Sequence, residues 1–266
     1  MSDIPKGVLD GIDALIDHHL LAGEQFDSFR HHQKRSYNAL CKNPPESFDG
    51  AELIAAMVQR IEENLARRPD RAPSPENWKI RSAAEPQAIG PAAKNESDEL
   101  LLERAIVQRW PQDWTHQMPV ASGLFGSRTD KRRLVDLVYD LKLGHFDLIE
   151  LKLQSDTPLY AAMEILGYGL VYLASRQNKA NNLGYDNALL PLLRASHITL
   201  CVLAPEAYYA DCNMEWLEQA INCGLGSFDK RELRMRFRFE KFSFTWKHNG
   251  QAADLPQPLI RARVYQ

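Results

Sequence analysis

The chain has no C-x-x-C pair; its four cysteines, Cys41, Cys201, Cys212 and Cys223, are scattered. That spacing excludes the common zinc and thioredoxin-like arrangements, and four thiols are too few for a disulfide scaffold, so they are expected to be reduced and structural. Also missing is any run of about 18 apolar residues, which a membrane-spanning helix would need. The segment "MSDIPKGVLDGIDALIDHHL" carries acids where a secretion signal has positive charge before an apolar block. An intracellular, cytoplasmic protein without a membrane partner is therefore expected. No charge sign dominates: 32 Lys and Arg against 35 Asp and Glu leave a net charge of -3. The overall field does not attract nucleic acid, so such a partner would need a local basic patch. Neither a P-loop nor a nucleophile elbow is found.

What is present is ordinary for a globular protein. With 266 residues, 44% hydrophobic and 25% charged, the chain can build one full core and a smaller second one. Two basic clusters stand out, "RTDKRR" (128–133) and "KRELRMRFRFEK" (230–241). Short clusters of this kind usually form solvated faces.

The first part reads as helical. Leu53, Ile54, Met57, Val58, Ile61 and Leu65 fall at helical spacing, as do Val8, Leu9, Ile12, Leu15 and Ile16, and "NPPESFDG" breaks the chain between them. Between 68 and 94 the composition shifts to Pro69, Pro73, Pro75, Pro86 and Pro91 with little periodicity. The expected organisation is a helical N-terminal domain (1–67), a Pro-rich linker (68–94) and a larger domain (95–266).

In the larger domain, "NESDELLLERAIVQRW" reads as a helix capped by Asn95 or Ser97 and stopped by Pro111. Three strand-like segments follow, "HQMPVASG", "RRLVDLVYDL" and "FDLIELKL". Thr157 and Pro158 then signal a helix that is apolar almost all round, as in a layer between layers. "HITLCVLAP" reads as a buried central strand and "NMEWLEQAINCG" as a helix. In "RMRFRFEKFSFTW" the apolar phase moves from odd to even positions, which predicts a bulge or bend near Glu240. The aromatics there fit a core better than a base-stacking surface. The order predicts an α/β layer structure whose three early strands are antiparallel.

The hairpin carries acids inside its strands. If it turns at Gly144, residues whose numbers average about 143 to 144 face each other, so Asp136 and Glu150 become cross-strand neighbours. Lys152, two residues beyond Glu150, shares that face, while Ile149, Leu151 and Leu153 take the other. Two carboxylates this close repel unless a cation lies between them or one is protonated. A hard divalent ion such as Mg²⁺ would resolve the conflict. The bland alternative is a solvated hairpin face on which Lys152 neutralises the acids. A second acid-x-Lys, Asp140 to Lys142, runs into the turn and is discounted.

At this point the sequence resembles the PD-(D/E)xK nuclease superfamily over roughly residues 95–205. Asp136 stands for the motif Asp, and Glu150 and Lys152 for the E-x-K; Val135 occupies the place of the signature proline. The resemblance implies a restriction-endonuclease-like three-layer α/β/α core with a mixed sheet. It also implies a metal-dependent phosphodiesterase. Asp136, Glu150 and the Leu151 carbonyl would ligate Mg²⁺, with Mn²⁺ as a substitute, and Lys152 would orient or deprotonate the attacking water. The helix acid, which would help hold a second ion or a water, is Glu96, Glu99 or Glu103; Glu99 shares a face with Leu102 and Ile106 and is chosen first. Glu164 and Tyr168 are similar to the Gln-x-x-x-Tyr pair of one branch, with Glu in place of Gln. Lys131, Arg132 and Arg133, with Arg234, Arg236 and Arg238, are placed on phosphates by charge alone.

The expected function is thus a metal-dependent nuclease acting on DNA, compatible with restriction, repair or phage defence and with a homodimer. The alternatives are a non-catalytic nucleic-acid- or protein-binding module retaining the fold, and a structural protein with an incidental charged hairpin. The pairs His18-His19 and His31-His32 are read as solvated or capping residues, because adjacent side chains on a helix do not converge.

Overall fold

The structure, a computed structural model, describes residues 5, 7–21, 29–67, 74–80, 96–122, 133–177, 184–185, 189–228, 232–247, 251–256, 259 and 261–265. Among these are six α-helices: α1 (Ile12–Leu21), α2 (Lys34–Lys42), α3 (Gly50–Ala66), α4 (Asp98–Arg109), α5 (Pro158–Arg176) and α6 (Glu215–Gly226). The strands are β1 (Trp114–Pro119), β2 (Leu134–Asp140), β3 (His145–Leu151), β4 (His197–Pro205), β5 (Arg234–Phe242) and β6 (Arg261–Arg263). They form one mixed α/β sheet in the order β1-β2-β3-β4-β5-β6. β1, β2 and β3 are antiparallel, β3, β4 and β5 run parallel, and β6 closes antiparallel to β5. Among the described residues no helix is long and apolar enough to cross a membrane.

Local chemistry fixes the elements that surround the hairpin. Asp49 caps α3 by accepting from the N–H groups of Ala51 (2.8 Å) and Glu52 (3.1 Å). Ser97 caps α4 through Leu100 N–H at 3.2 Å. Thr157 caps α5 through Tyr160 N–H at 3.3 Å, and Pro158 stands at its first turn, as the sequence suggests. The hairpin between β2 and β3 turns through Lys142, Leu143 and Gly144, all left-handed, with φ of 70°, 53° and 77°. Asp140 accepts from Lys142 N–H at 2.7 Å inside that turn, so the second acid-x-Lys copy belongs to the turn.

Both faces of the sheet are covered. On one face Leu148, Ile198, Leu200, Val202, Met235, Phe237 and Phe239 pack with α5, α6 and the N-terminal helices in one continuous core. On the other, Ile149, Leu151, Cys201, Leu203 and Phe242 pack with Leu102 and Ile106 of α4 and with Leu255. This two-sided cover corrects the expected bulge at Glu240. The β4 register runs unbroken from His197↔Arg234 to Pro205↔Phe242. The apolar phase changes because Phe239 serves one core and Phe242 the other.

Helices α1 to α3 share the first core with α5 and α6. Gly50 of α3 and Gly224 of α6 meet so closely that a Cβ on Gly224 would lie 2.6 Å from the Gly50 carbonyl oxygen. Much of the expected linker lies outside the described residues. Its segment 74–80 is anchored: Trp78 is fully buried, its ring meets Tyr172 edge-on at 5.6 Å, and its backbone N–H donates to the Pro119 carbonyl at 3.1 Å. The cysteines also need correction, because Cys41 and Cys212 form a disulfide across 171 residues of sequence, leaving Cys201 and Cys223 free. The fold brings the end of α2 to Cys212, with 5.1 Å between the two Cα atoms, so two thiols distant in sequence become neighbours, which spacing alone does not reveal.

Candidate active site

The hairpin pairs Leu137 with Ile149 and Asp140 with Phe146, so opposed residues average 143 and Asp136 stands opposite Glu150. The ladder's last regular rung is Leu137↔Ile149. Beyond it, the Leu151 N–H is taken by Asp136 Oδ2 at 2.9 Å, a side chain doing what a backbone carbonyl does elsewhere in the ladder. The strands therefore part where the acids lie.

Lys152 Nζ sits 2.8 Å from Glu150 Oε1, 3.6 Å from Asp156 Oδ2 and 3.9 Å from Glu164 Oε2. Glu150 is 3% and Lys152 7% exposed, so this ion pair is shielded from solvent. Asp156 turns back toward Lys152 from a left-handed position, φ 57°. Glu164 Oε1 accepts from the Tyr168 hydroxyl at 2.8 Å, so the Glu-x-x-x-Tyr pair on α5 is joined to the hairpin through Lys152.

The three candidate helix acids separate clearly. Glu96 pairs with Arg104 at 2.5 Å. Glu99 accepts from the Leu153 N–H (2.9 Å) and the Ser155 hydroxyl (2.6 Å), tying α4 to the end of β3. Glu103 is 3% exposed, accepts from Gln117 Nε2 at 2.6 Å, and is the neighbouring charge that acts most strongly on Asp136. Glu99 thus borders the site as a brace, while Glu103 is the acid electrostatically joined to it.

Burial dominates the titration of these groups. It pushes Asp136 up to about 8, reinforced by Glu103 and opposed by Lys152 and the Leu151 N–H. It pushes Glu103 up to about 8 as well, opposed by the Gln117 hydrogen bond. Burial raises Glu150 too, with Asp136 and Glu164 adding to it and Lys152 opposing. For Lys152 burial works against the charge, but Glu150, Asp136 and Glu164 prevail and hold the ammonium above the ordinary lysine range. A lysine held this way donates hydrogen bonds and positive potential to its surroundings.

One carboxylate oxygen, Glu150 Oε2, is buried without a hydrogen-bond partner. Such an atom is costly unless something charged or hydrogen-bonding meets it. Among the described residues no three His, Cys, Asp or Glu side chains converge to share one ion. A pair of carboxylates with a carbonyl is a smaller donor set, suited to a hard ion that keeps several waters.

Of the basic residues, Lys131 and Arg132 lie outside the described residues. Arg133 is exposed and lines a cleft with Asp13, His31, Tyr160 and Glu164, so it stands at the margin of the site. Arg234 and Arg236 are exposed on β5. Arg238 is committed elsewhere: it pairs with Asp147 (3.0 Å) and Glu240 (2.5 Å), which Arg261 also holds at 2.8 and 2.5 Å. Its assignment to phosphate is corrected on that ground.

Sequence reasoning missed two contributions. The cleft is walled by Ile12, Asp13 and Ile16 of α1 as well as by α5, so the N-terminal helices reach the site's edge. His31 is 1% exposed rather than solvated, and Asp17 Oδ1 accepts from its backbone N–H (2.7 Å) and lies 2.9 Å from its Nδ1. Only a buried partner acid, invisible in the spacing of two adjacent histidines, distinguishes His31 from His32. Comparison of the chain with protein-family models, with curated proteins and with solved structures finds no match in any of the three.

Proposed function

We propose that this protein is a metal-dependent nuclease of the PD-(D/E)xK type, hydrolysing phosphodiester bonds in nucleic acid, with DNA as the substrate. The observation that carries the reading is the meeting of Asp136, Glu150 and Lys152 where β2 and β3 part, with Glu150 Oε2 buried and unpartnered. The element order supports it: α4, three antiparallel strands, α5 and then β4 parallel to β3, which is the order expected of a restriction-endonuclease-like core.

The donors present suit a Mg²⁺ ion, or Mn²⁺ in its place, held by Asp136, Glu150 and the Leu151 carbonyl. When bound, the ion supplies Lewis acidity and lowers the pKa of a water. Lys152, beside the carboxylates of Glu150 and Glu164, orients or deprotonates the attacking water and offsets charge on the phosphorane. Glu99 keeps the end of β3 against α4 through Leu153 and Ser155. Glu164, fixed by Tyr168, sets the position of the Lys152 ammonium. Arg133 is placed to grip a backbone phosphate, which would make binding salt-dependent.

The test is cleavage of circular, linear and single-stranded DNA and of RNA, with Mg²⁺, Mn²⁺ or EDTA. Metal-dependent cutting should fall by about 10²–10³-fold in Lys152→Ala, the scale of losing one transition-state donor, and vanish in Asp136→Ala. An absence of cutting on every substrate, with nucleic-acid binding unchanged in both variants, points instead to a non-catalytic binding module.

A further inference from the structure

Asp136 is flanked by irregular backbone on both sides. On the β1 side the register is Trp114↔Tyr139, Thr115↔Val138 and His116↔Leu137, then Met118↔Val135 and Pro119↔Leu134. The missing rung is Gln117 opposite Asp136, yet the register is the same before and after it, so no residue has been inserted. Instead Gln117 is left-handed, with φ 51°. The other described non-glycine residues with positive φ, Trp78, Lys142, Leu143 and Asp156, lie in turns or loops; Gln117 alone lies within a strand. A non-glycine residue does not adopt this conformation without something to hold it.

Both strands change face at that rung. Trp114 and Met118, four apart in β1, should share a face, but Trp114 packs in the core beside α4 and Met118 in the core beside α5. In β2, Leu137 belongs to the first of these cores and Val135 to the second. The simultaneous turn preserves the register and leaves Asp136 at the crossing, within the field of Glu103 on α4 and Glu164 on α5. What Gln117 gains is a hydrogen bond, Nε2 to Glu103 Oε2 at 2.6 Å, to a carboxylate that is 3% exposed.

We propose that Gln117 is a positioning residue: its left-handed backbone turns the β1-β2 rung over, and its amide fixes the Glu103 carboxylate beside the ion site of Asp136 and Glu150. This rests on the metal-dependent reading above and names how an acid bordering that site is aimed. Gln117 itself touches neither ion nor substrate.

The test uses the full chain with two variants. Gln117→Gly accepts φ 51° freely and removes the amide; Gln117→Met keeps the length of the side chain without the hydrogen bond. Mn²⁺ alone is titrated calorimetrically into each, and Tm is read in EDTA. The expected result is an affinity at least about 10-fold weaker in both variants, the scale of losing an outer-shell partner. In Gln117→Gly the Tm should hold or rise, because the strain is relieved. A merely structural hydrogen bond gives the reverse, a lower Tm with Mn²⁺ affinity unchanged, and that result overturns the proposal while leaving the nuclease reading intact. If wild type binds no Mn²⁺, or Asp136→Asn binds it equally well, the reading and the proposal fall together.

Discussion

At the scale of single residues, the site stores its chemistry as raised carboxylate pKa values. Asp136 and Glu103 each titrate near 8 in the folded chain, chiefly through burial, against about 4 when unfolded. Between these values the folded state binds more protons than the unfolded one, so stability must fall as pH rises through that window. In EDTA, Tm should therefore decline from pH 5 to pH 9, with the fall concentrated below about pH 8, where these two groups keep their protons in the folded chain and lose them in the unfolded one. Asp136→Asn should flatten much of the decline, because one titrating group is gone, and Mn²⁺ should oppose it by favouring the charged acids. Thermal unfolding across pH, with and without Mn²⁺, checks all three; a Tm that rises with pH in EDTA would show that the acids are ionised at little cost. Lys152 does not share this window, since its neighbours keep it charged throughout.

At the scale of elements, the N-terminal helices belong to the packing that supports the hairpin. Gly50 and Gly224 let α3 and α6 cross with backbones in contact: a Cβ on Gly224 would lie 2.6 Å from Gly50 O and 2.7 Å from the Ile54 side chain. Gly224→Ala should destabilise by about 1–3 kcal/mol, the usual cost of overpacking, and an unchanged Tm would mean that the helices separate freely. This contact was not legible in the sequence, where Gly224 reads as the tail of a helix. The hairpin was legible, because Gly144 fixes the turn and the period of two then fixes which side chains face each other. So was α5, whose Thr-Pro start and apolar girth each have a local cause. The changes of side were less so. At Glu240 the sequence showed the apolar phase shift but not its origin in cover on both faces, and at Gln117 an uncharged polar residue gave no sign of a left-handed turn. Among the acids of α4, helical periodicity favoured Glu99, whereas burial and the link to Gln117 single out Glu103.

At the scale of the whole molecule, one covalent link joins the helical layer to the loop that follows β4. Cys41 lies at the end of α2, and Cys212 follows the turn Glu206–Tyr209, in which Tyr208 lies within the field of Lys152 and Asp156. Such a bond separates the expectation of a reducing cytoplasm from the structure, because thiols in that compartment are normally kept reduced. Closing 171 residues removes much unfolded-state entropy, worth up to about 5 kcal/mol in the chain-entropy account, and less where the native site is strained. Reduction, or Cys41→Ser with Cys212→Ser, should accordingly lower Tm by several degrees without removing the fold, since the same helices are held by the shared core. Thiol counting provides the direct check. Denatured but unreduced protein should show two reactive thiols, those of Cys201 and Cys223, and four after reduction. Four at the outset, in protein handled to prevent disulfide exchange, would mean that the two cysteines are only neighbours, and Tm should then be indifferent to reductant. Two at the outset would mean that the loop beside Tyr208 is held to α2 covalently, so that reductant becomes a control required in any assay of the Lys152 site.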